Sequence, residues 1–212
     1  MKGDFIPKVQ RESYEITNMI PFYHLGRQYL DIIKNFKGIE SVLIIGIGDG
    51  LLPLILKEHL HLSVDTADID KNLNPDYLVS VHNLSSKIKK KYDLVICSNV
   101  LEHLPFDYFS KSLREINKVT KRYVLITLPY AGFGVNLKFT LIHLFSFHIV
   151  IKIPYFLKRH RFNGEHYWEI GTKGYPLSRI KKIIKENGFK ILTSYLDKDW
   201  DYCYHFLLIK VS

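Results

Sequence analysis

The sequence predicts an α/β domain with a mostly parallel sheet, helices on both faces and an antiparallel hairpin at the end. Three observations predict it. Short β-like apolar runs alternate with amphipathic helical segments, which implies crossover connections and strands covered on both sides. The first of these runs, in "SVLIIGIGDGLLP", enters a glycine-rich turn and passes straight into a helical pattern. The last helical segment is stopped by Gly188 and followed by "FKILTSYL" and "YCYHFLLIKV", joined by the short polar "DKDWD".

In chain order, an N-terminal helix is expected at Pro21 to Phe36. Strands follow at Ser41 to Ile45, Leu62 to Ala67, Tyr77 to Val79, Tyr92 to Cys97 and Tyr123 to Leu128. Between them the clearest helices are Leu51 to Leu60 and Asp107 to Thr120, and a final helix spans Leu177 to Asn187. With 212 residues, 47% of them hydrophobic, the chain can bury a substantial core as one domain. Residues 1–38 form its N-terminal helical segment, and about 131–174 a lid-like insertion.

Lys and Arg outnumber Asp and Glu by 30 to 21. The excess would suit an anionic partner, yet it is scattered along the chain and no nucleic-acid-binding motif accompanies it, so nucleic acid is disfavoured. Cys97 and Cys203 sit inside apolar runs and lack metal-site spacing, so they read as buried thiols and no metal is expected. The opening "MKGDFIPKVQRES" has no apolar core after its charges, so a secretory signal is not expected and a cytoplasmic setting is.

The glycine turn is spaced G-x-G-x-G, with Leu51 where a dinucleotide fold needs its third glycine, and this counts against NAD. Such a turn still lets backbone N–H groups and a helix N-terminus face a polar ligand closely. A tight strand-to-helix turn can also need glycines without any ligand. Asp68 ends the second strand where a carboxylate can accept from both hydroxyls of a ribose, with Asp70 as a nearby competitor.

With these features, "YDLVICSNVLEHLP" resembles the fourth strand and following loop of class I S-adenosylmethionine-dependent methyltransferases, particularly the methyltransferase type 11 group. The resemblance covers about Ser41 to Pro129, and the terminal helix and hairpin agree with it. It implies a Rossmann-like three-layer sandwich with a mostly parallel seven-stranded sheet, its last strand antiparallel, and this chain's own residues add a helical insertion after the fifth strand. It implies S-adenosylmethionine as cofactor, with Gly46, Gly48 and Gly50 around the methionine part and Asp68 on the ribose. Ser80, Val81 and His82 match the adenine border, where Ser80 replaces the usual acid. Ser98, Asn99 and Val100 match the loop beside the methionyl group, with Glu102 and His103 following, the latter expected to touch the acceptor. Arg27 resembles an arginine that some members aim at the cofactor carboxylate, and Tyr23 and His24 could close over it. Ile44 departs from the family, which usually has an acid there.

The acceptor side is the most individual part. "FTLIHLFSFHIVIKIPYFLKRHR" is a long apolar stretch broken by His143, His148 and Lys152 and ended by a basic cluster. Its readings are a hydrophobic lid over the acceptor pocket, an interfacial membrane segment, and a buried helix pair or homodimer face. After it, "NGEHYWEIGTKGYP" offers His166 or Glu169 as general base and Tyr167 and Trp168 as pocket walls. The expected activity is methyl transfer to a small or lipid-linked acceptor, such as a glycan or quinone precursor. A non-catalytic protein of the same fold, binding a partner or membrane through the insertion, is the alternative that Ile44 and Ser80 motivate.

Overall fold

A computed structural model describes residues 20–141 and 145–211 of the chain. The opening stretch of the N-terminal segment and His143 lie outside the described residues. Helix α1 (Ile20–Asn35) leads into β1 (Ser41–Ile45), α2 (Leu51–Glu58), β2 (Ser63–Asp68), β3 (Tyr77–Leu78), α3 (Leu84–Lys87) and β4 (Tyr92–Ser98). Then come α4 (Phe109–Val119), β5 (Thr120–Pro129), β6 (Gly132–Leu141), β7 (Phe145–Pro154), α5 (Leu177–Glu186), β8 (Phe189–Leu196) and β9 (Cys203–Lys210). Seven strands form one sheet in the order β3-β2-β1-β4-β5-β9-β8, and β6 with β7 forms a separate ribbon. Strands β1 to β5 pair in parallel, and β9 runs antiparallel to both its neighbours.

Alternation along the strands builds two cores. Leu43, Ile45, Val95 and Cys97 face the layer of α3, α4 and α5, whereas Val42, Ile44, Leu94 and Ile96 face the layer under α1 and α2. Both faces are covered, so these strands read as unbroken apolar runs. On α4 the buried Phe109, Ser112, Leu113, Ile116 and Val119 recur at helical spacing. Both cysteines are buried and free.

The expectation of a helical insertion fails. Residues 132–154 form the β6–β7 ribbon, with Phe133 opposite Ile153, Val135 opposite Ile151, Leu137 opposite Ile149, Phe139 opposite Phe147 and Leu141 opposite Phe145. The reason is period-two patterning: those ten residues share one face, while Gly134, Asn136, Lys138, Thr140, Ser146, His148 and Lys152 occupy the other. The polar face sits on the β8–β9 loop, where the Asn136 side chain donates to the Lys198 carbonyl at 3.0 Å and Lys152 donates to the carbonyl of Asp201. All ten apolar side chains are exposed, so this face is turned to solvent and covers no part of the sheet.

A buried polar network ties α1 to the last two strands. Tyr195 donates to Asp31 at 2.5 Å, and His205 lies between Asp31 at 2.9 Å and Asp197 at 3.6 Å. Burial works to lower the His205 pKa, but the carboxylates of Asp197 and Asp31 outweigh it and raise it to about 11. A raised folded-state pKa means that the stabilisation is complete below the ordinary value of 6.5 and is lost as pH climbs through about 11. His205→Gln, which removes the positive charge between two buried carboxylates and leaves them Tyr195 and Arg27 as side-chain partners, should therefore cost about 3 to 5 kcal/mol at neutral pH. Urea unfolding across pH 6 to 11 should show that cost shrinking toward the alkaline end, and a cost independent of pH would contradict the charged-histidine assignment.

Candidate functional site

At the carboxyl ends of the parallel strands β1 passes into Gly46, Gly48 and Gly50, whose φ values of 81°, 61° and 79° are all left-handed. Gly50 caps α2. A Cβ on Gly46 would stand 2.5 Å from Cγ2 of Val100, so this turn touches the loop after β4. Asp68 clasps the turn: one carboxylate oxygen accepts from the Ile47 N–H and the other from the Asp70 N–H, both at 2.9 Å. Each oxygen keeps a lone pair with which to accept from a ligand hydroxyl. Ile44 is buried in the layer beneath α1, which leaves no polar group at that position.

Ser80, Val81 and His82 follow β3. Ser80 Oγ lies 2.7 Å from His82 Nδ1, Val81 is buried, and burial lowers the His82 pKa, helped by Lys111. At the end of β4, Ser98 Oγ meets Thr127 Oγ1 at 2.7 Å and His24 Nε2 at 3.0 Å. Asn99 adopts φ 50°, a left-handed turn that swings the chain out of β4 into the turn at Leu101–His103. His24 from α1 thus lies over both residues, its pKa lowered to about 3 by burial and then by the facing His205. Tyr23 is exposed. Arg27 pairs with Asp199 at 3.1 Å and Asp197 at 3.7 Å, so its charge is directed to the β8–β9 loop.

The segment expected to border an acceptor lies where the chain returns from the ribbon. Ile170 N–H donates to the Pro129 carbonyl and Ala131 N–H to that of Ile170, placing residues 166–170 beside the end of β5. The Tyr167 N–H donates to the Glu102 carbonyl, binding this segment to the turn at Leu101–His103. His166 Nδ1 meets Glu169 Oε1 at 2.9 Å, and the Tyr202 hydroxyl donates to the same oxygen at 2.7 Å. Burial opposes both charges, yet the contact raises the His166 pKa and lowers that of Glu169. His103 Nδ1 lies 3.0 Å from the Glu165 carbonyl oxygen, and its ring is 5.0 Å from that of His166. Glu102 is fully buried, which raises its pKa.

Trp168 corrects the expectation of a pocket wall. It is wholly buried against Phe106, Phe109 and Tyr175, and its indole donates to the Leu104 carbonyl at 3.2 Å, so it is core. Tyr167 stays half-buried, stacked on Phe162 at 4.4 Å. Tyr202 joins the cluster without having been singled out, since it follows the polar "DKDWD" with no motif of its own, whereas Glu102 adjoins His103 in "LEHL". A cleft of about 370 Å³ opens beside Glu169, lined by Tyr155, Lys158, Arg159, His160 and Arg161 among others.

The sequence matches no protein-family profile and no curated protein. Solved structures share its fold. An S-adenosylmethionine-dependent methyltransferase from Clostridium acetobutylicum ATCC 824 superposes with a TM-score of 0.58 at 11% identity, over 93% of this chain and 94% of that one. The PH0226 protein from Pyrococcus horikoshii OT3 gives 0.61 at 12% identity, over 95% and 96%. The magnesium protoporphyrin IX methyltransferase of Synechocystis PCC 6803, solved with bound S-adenosylmethionine, gives 0.54 at 16%, over 90% and 81%. The chain therefore has the fold of the class I S-adenosylmethionine-dependent methyltransferases.

The turn itself can be tested. Gly46→Ala places a Cβ against Val100 in a left-handed conformation, a strain of about 1 to 2 kcal/mol that should lower the melting temperature by roughly 2 to 8 °C. Adding Val100→Ala should recover only part of that loss. An unchanged melting curve for the single variant would show that the turn is not held as described.

Proposed function

We propose that this chain transfers a methyl group from S-adenosylmethionine to an acceptor held at the carboxyl edge of the sheet. The observation that carries the reading is the left-handed glycine turn clasped by Asp68, on the edge where open α/β sheets take their ligands. The N–H groups of the turn and the N-terminus of α2 suit the methionine part, and Asp68 suits the ribose. Ser80 to His82 suit the adenine border, and Ser98 with Asn99 the sulfonium side. A sulfonium methyl is already activated, so the protein's task is to align the acceptor behind it. Glu102, His103, His166 and Glu169 stand where that acceptor would lie, with Glu169 orienting His166. The contact between Gly46 and Val100 keeps the two halves of such a site adjacent.

The ribbon supports an acceptor presented by a membrane. Ten large apolar side chains line one exposed face, the exposed Tyr155, Phe156 and Leu157 follow it in the chain, and Lys158, Arg159 and Arg161 come next at the basic cleft. An apolar face bordered by cations complements an anionic bilayer, with the side chains entering the acyl boundary and the cations meeting phosphates. No helix among the described residues is long and apolar enough to cross a membrane, so the contact would be peripheral. A lipid-linked acceptor would then reach the cleft from the surface on which the ribbon rests.

Calorimetry with S-adenosylmethionine tests the first reading. Asp68→Ala should weaken binding by about 1 to 3 kcal/mol, or roughly 5- to 150-fold, in protein shown by circular dichroism to be folded. Absence of binding by the unaltered protein at millimolar cofactor would end the methyltransferase reading. For the second, the protein should sediment with phosphatidylglycerol vesicles and not with phosphatidylcholine vesicles, and Phe147→Asp with Ile149→Asp should abolish this. A dimer that buries the ribbon face in solution would overturn the bilayer assignment.

A further inference from the structure

We propose that Glu102, His103 and His166 hold a divalent transition-metal ion. Among the described residues they bring one carboxylate oxygen and two imidazole nitrogens within 4.8 Å of one another. Donor atoms around a four-coordinate ion with bonds of about 2.0 to 2.2 Å lie only somewhat closer together, so closing on it takes small side-chain rotations.

Two further observations point to a cation. The first is Glu102, which is fully buried although neither carboxylate oxygen has a hydrogen-bond partner on another residue. In its charged form a buried carboxylate without such partners is strongly disfavoured unless a positive charge stands beside it, and a bound cation would supply that charge. The second is the orientation of the rings. His103 Nδ1 is taken up by the Glu165 carbonyl and His166 Nδ1 by Glu169, which also accepts from Tyr202. That leaves Nε2 of each imidazole as the nitrogen free to bind an ion, the arrangement in which metal-binding histidines are held by an outer carbonyl or carboxylate. Two imidazoles and one carboxylate suit zinc and its first-row neighbours better than magnesium or calcium, which prefer oxygen. Three protein ligands leave a coordination position open, as in catalytic zinc sites and not structural ones.

The ion's use rests on the methyl-transfer reading. An acceptor hydroxyl binding at the open position would lose its proton to solvent more readily. Its oxygen then forms a bond to the methyl carbon as the carbon–sulfur bond breaks, and that electron pair stays on sulfur. Glu169 is in this arrangement a positioning residue acting through His166, and the ion replaces the general base for which the sequence suggested His166 or Glu169.

The test is calorimetric titration of the chelator-treated full chain with zinc chloride, alongside visible spectra with cobalt(II). One ion per chain is expected, with cobalt bands of a four- or five-coordinate site. Glu102→Gln and His103→Gln should each weaken binding at least tenfold and alter the cobalt bands, and Glu169→Gln should weaken it about 10- to 100-fold. Glu102→Gln is isosteric, so a folded variant is expected, and thermal melting confirms it. Absence of stoichiometric binding, or binding and spectra unchanged in all three variants, overturns the site. S-adenosylmethionine affinity is measured separately on each preparation: its absence with metal binding intact ends the methyl-transfer reading and leaves the site standing.

Discussion

The clasp of Asp68 on the Ile47 amide joins the ends of β1 and β2, and the whole carboxyl edge depends on it. It fixes a turn in which three glycines hold conformations that side chains resist, and the turn in turn abuts Val100. Val100 begins the loop that carries Glu102 and His103, and the Glu102 carbonyl anchors the segment bearing His166 and Glu169. Four stretches far apart in sequence are thus brought to one edge through a short chain of contacts. The two buried layers below make that edge rigid, since neither face of β1 or β4 can shift without opening a core.

How much of this the sequence discloses follows from where the determinants lie. The sheet strands and main helices are legible because burial on one or two faces leaves periodic apolar patterns, and observed ends differ from expected ones by a few residues. The glycine turn and Asp68 are legible because backbone conformation and a strand-end acid limit the residue types that fit. The ribbon is illegible when its apolar residues are taken as a run, because the strand signal lies in their alternation with Asn136, Lys138, Thr140, His148 and Lys152. Trp168 reads equally as a pocket wall or as core until the aromatic cage around it is known. The grouping of Glu102 and His103 with His166 is a tertiary fact, since only the return of the chain beside β5 brings them together.

Electrostatics near α1 illustrate how position overrides residue type. His24 and His205 have ring centroids 5.6 Å apart, yet burial and its charged neighbour keep the first neutral, while two carboxylates keep the second charged. Arg27, Asp197 and Asp199 extend the same network to the surface. The helix over the Ser98 and Asn99 loop is therefore held by charge as well as by Ile32 and Phe36, which pack into the core beneath it.

The position of β9 has a consequence for how the molecule is made. It is the last strand of the sheet in sequence, yet it lies between β5 and β8 and pairs with both. During synthesis on the ribosome, β5 presents an open edge until residues 203–210 emerge, and β8 has no neighbour to join. The apolar ribbon is already outside the exit tunnel by then, beside that open edge. The sheet therefore closes only once both β8 and β9 are available, and the interval before that is when its open edge is most exposed to mispairing.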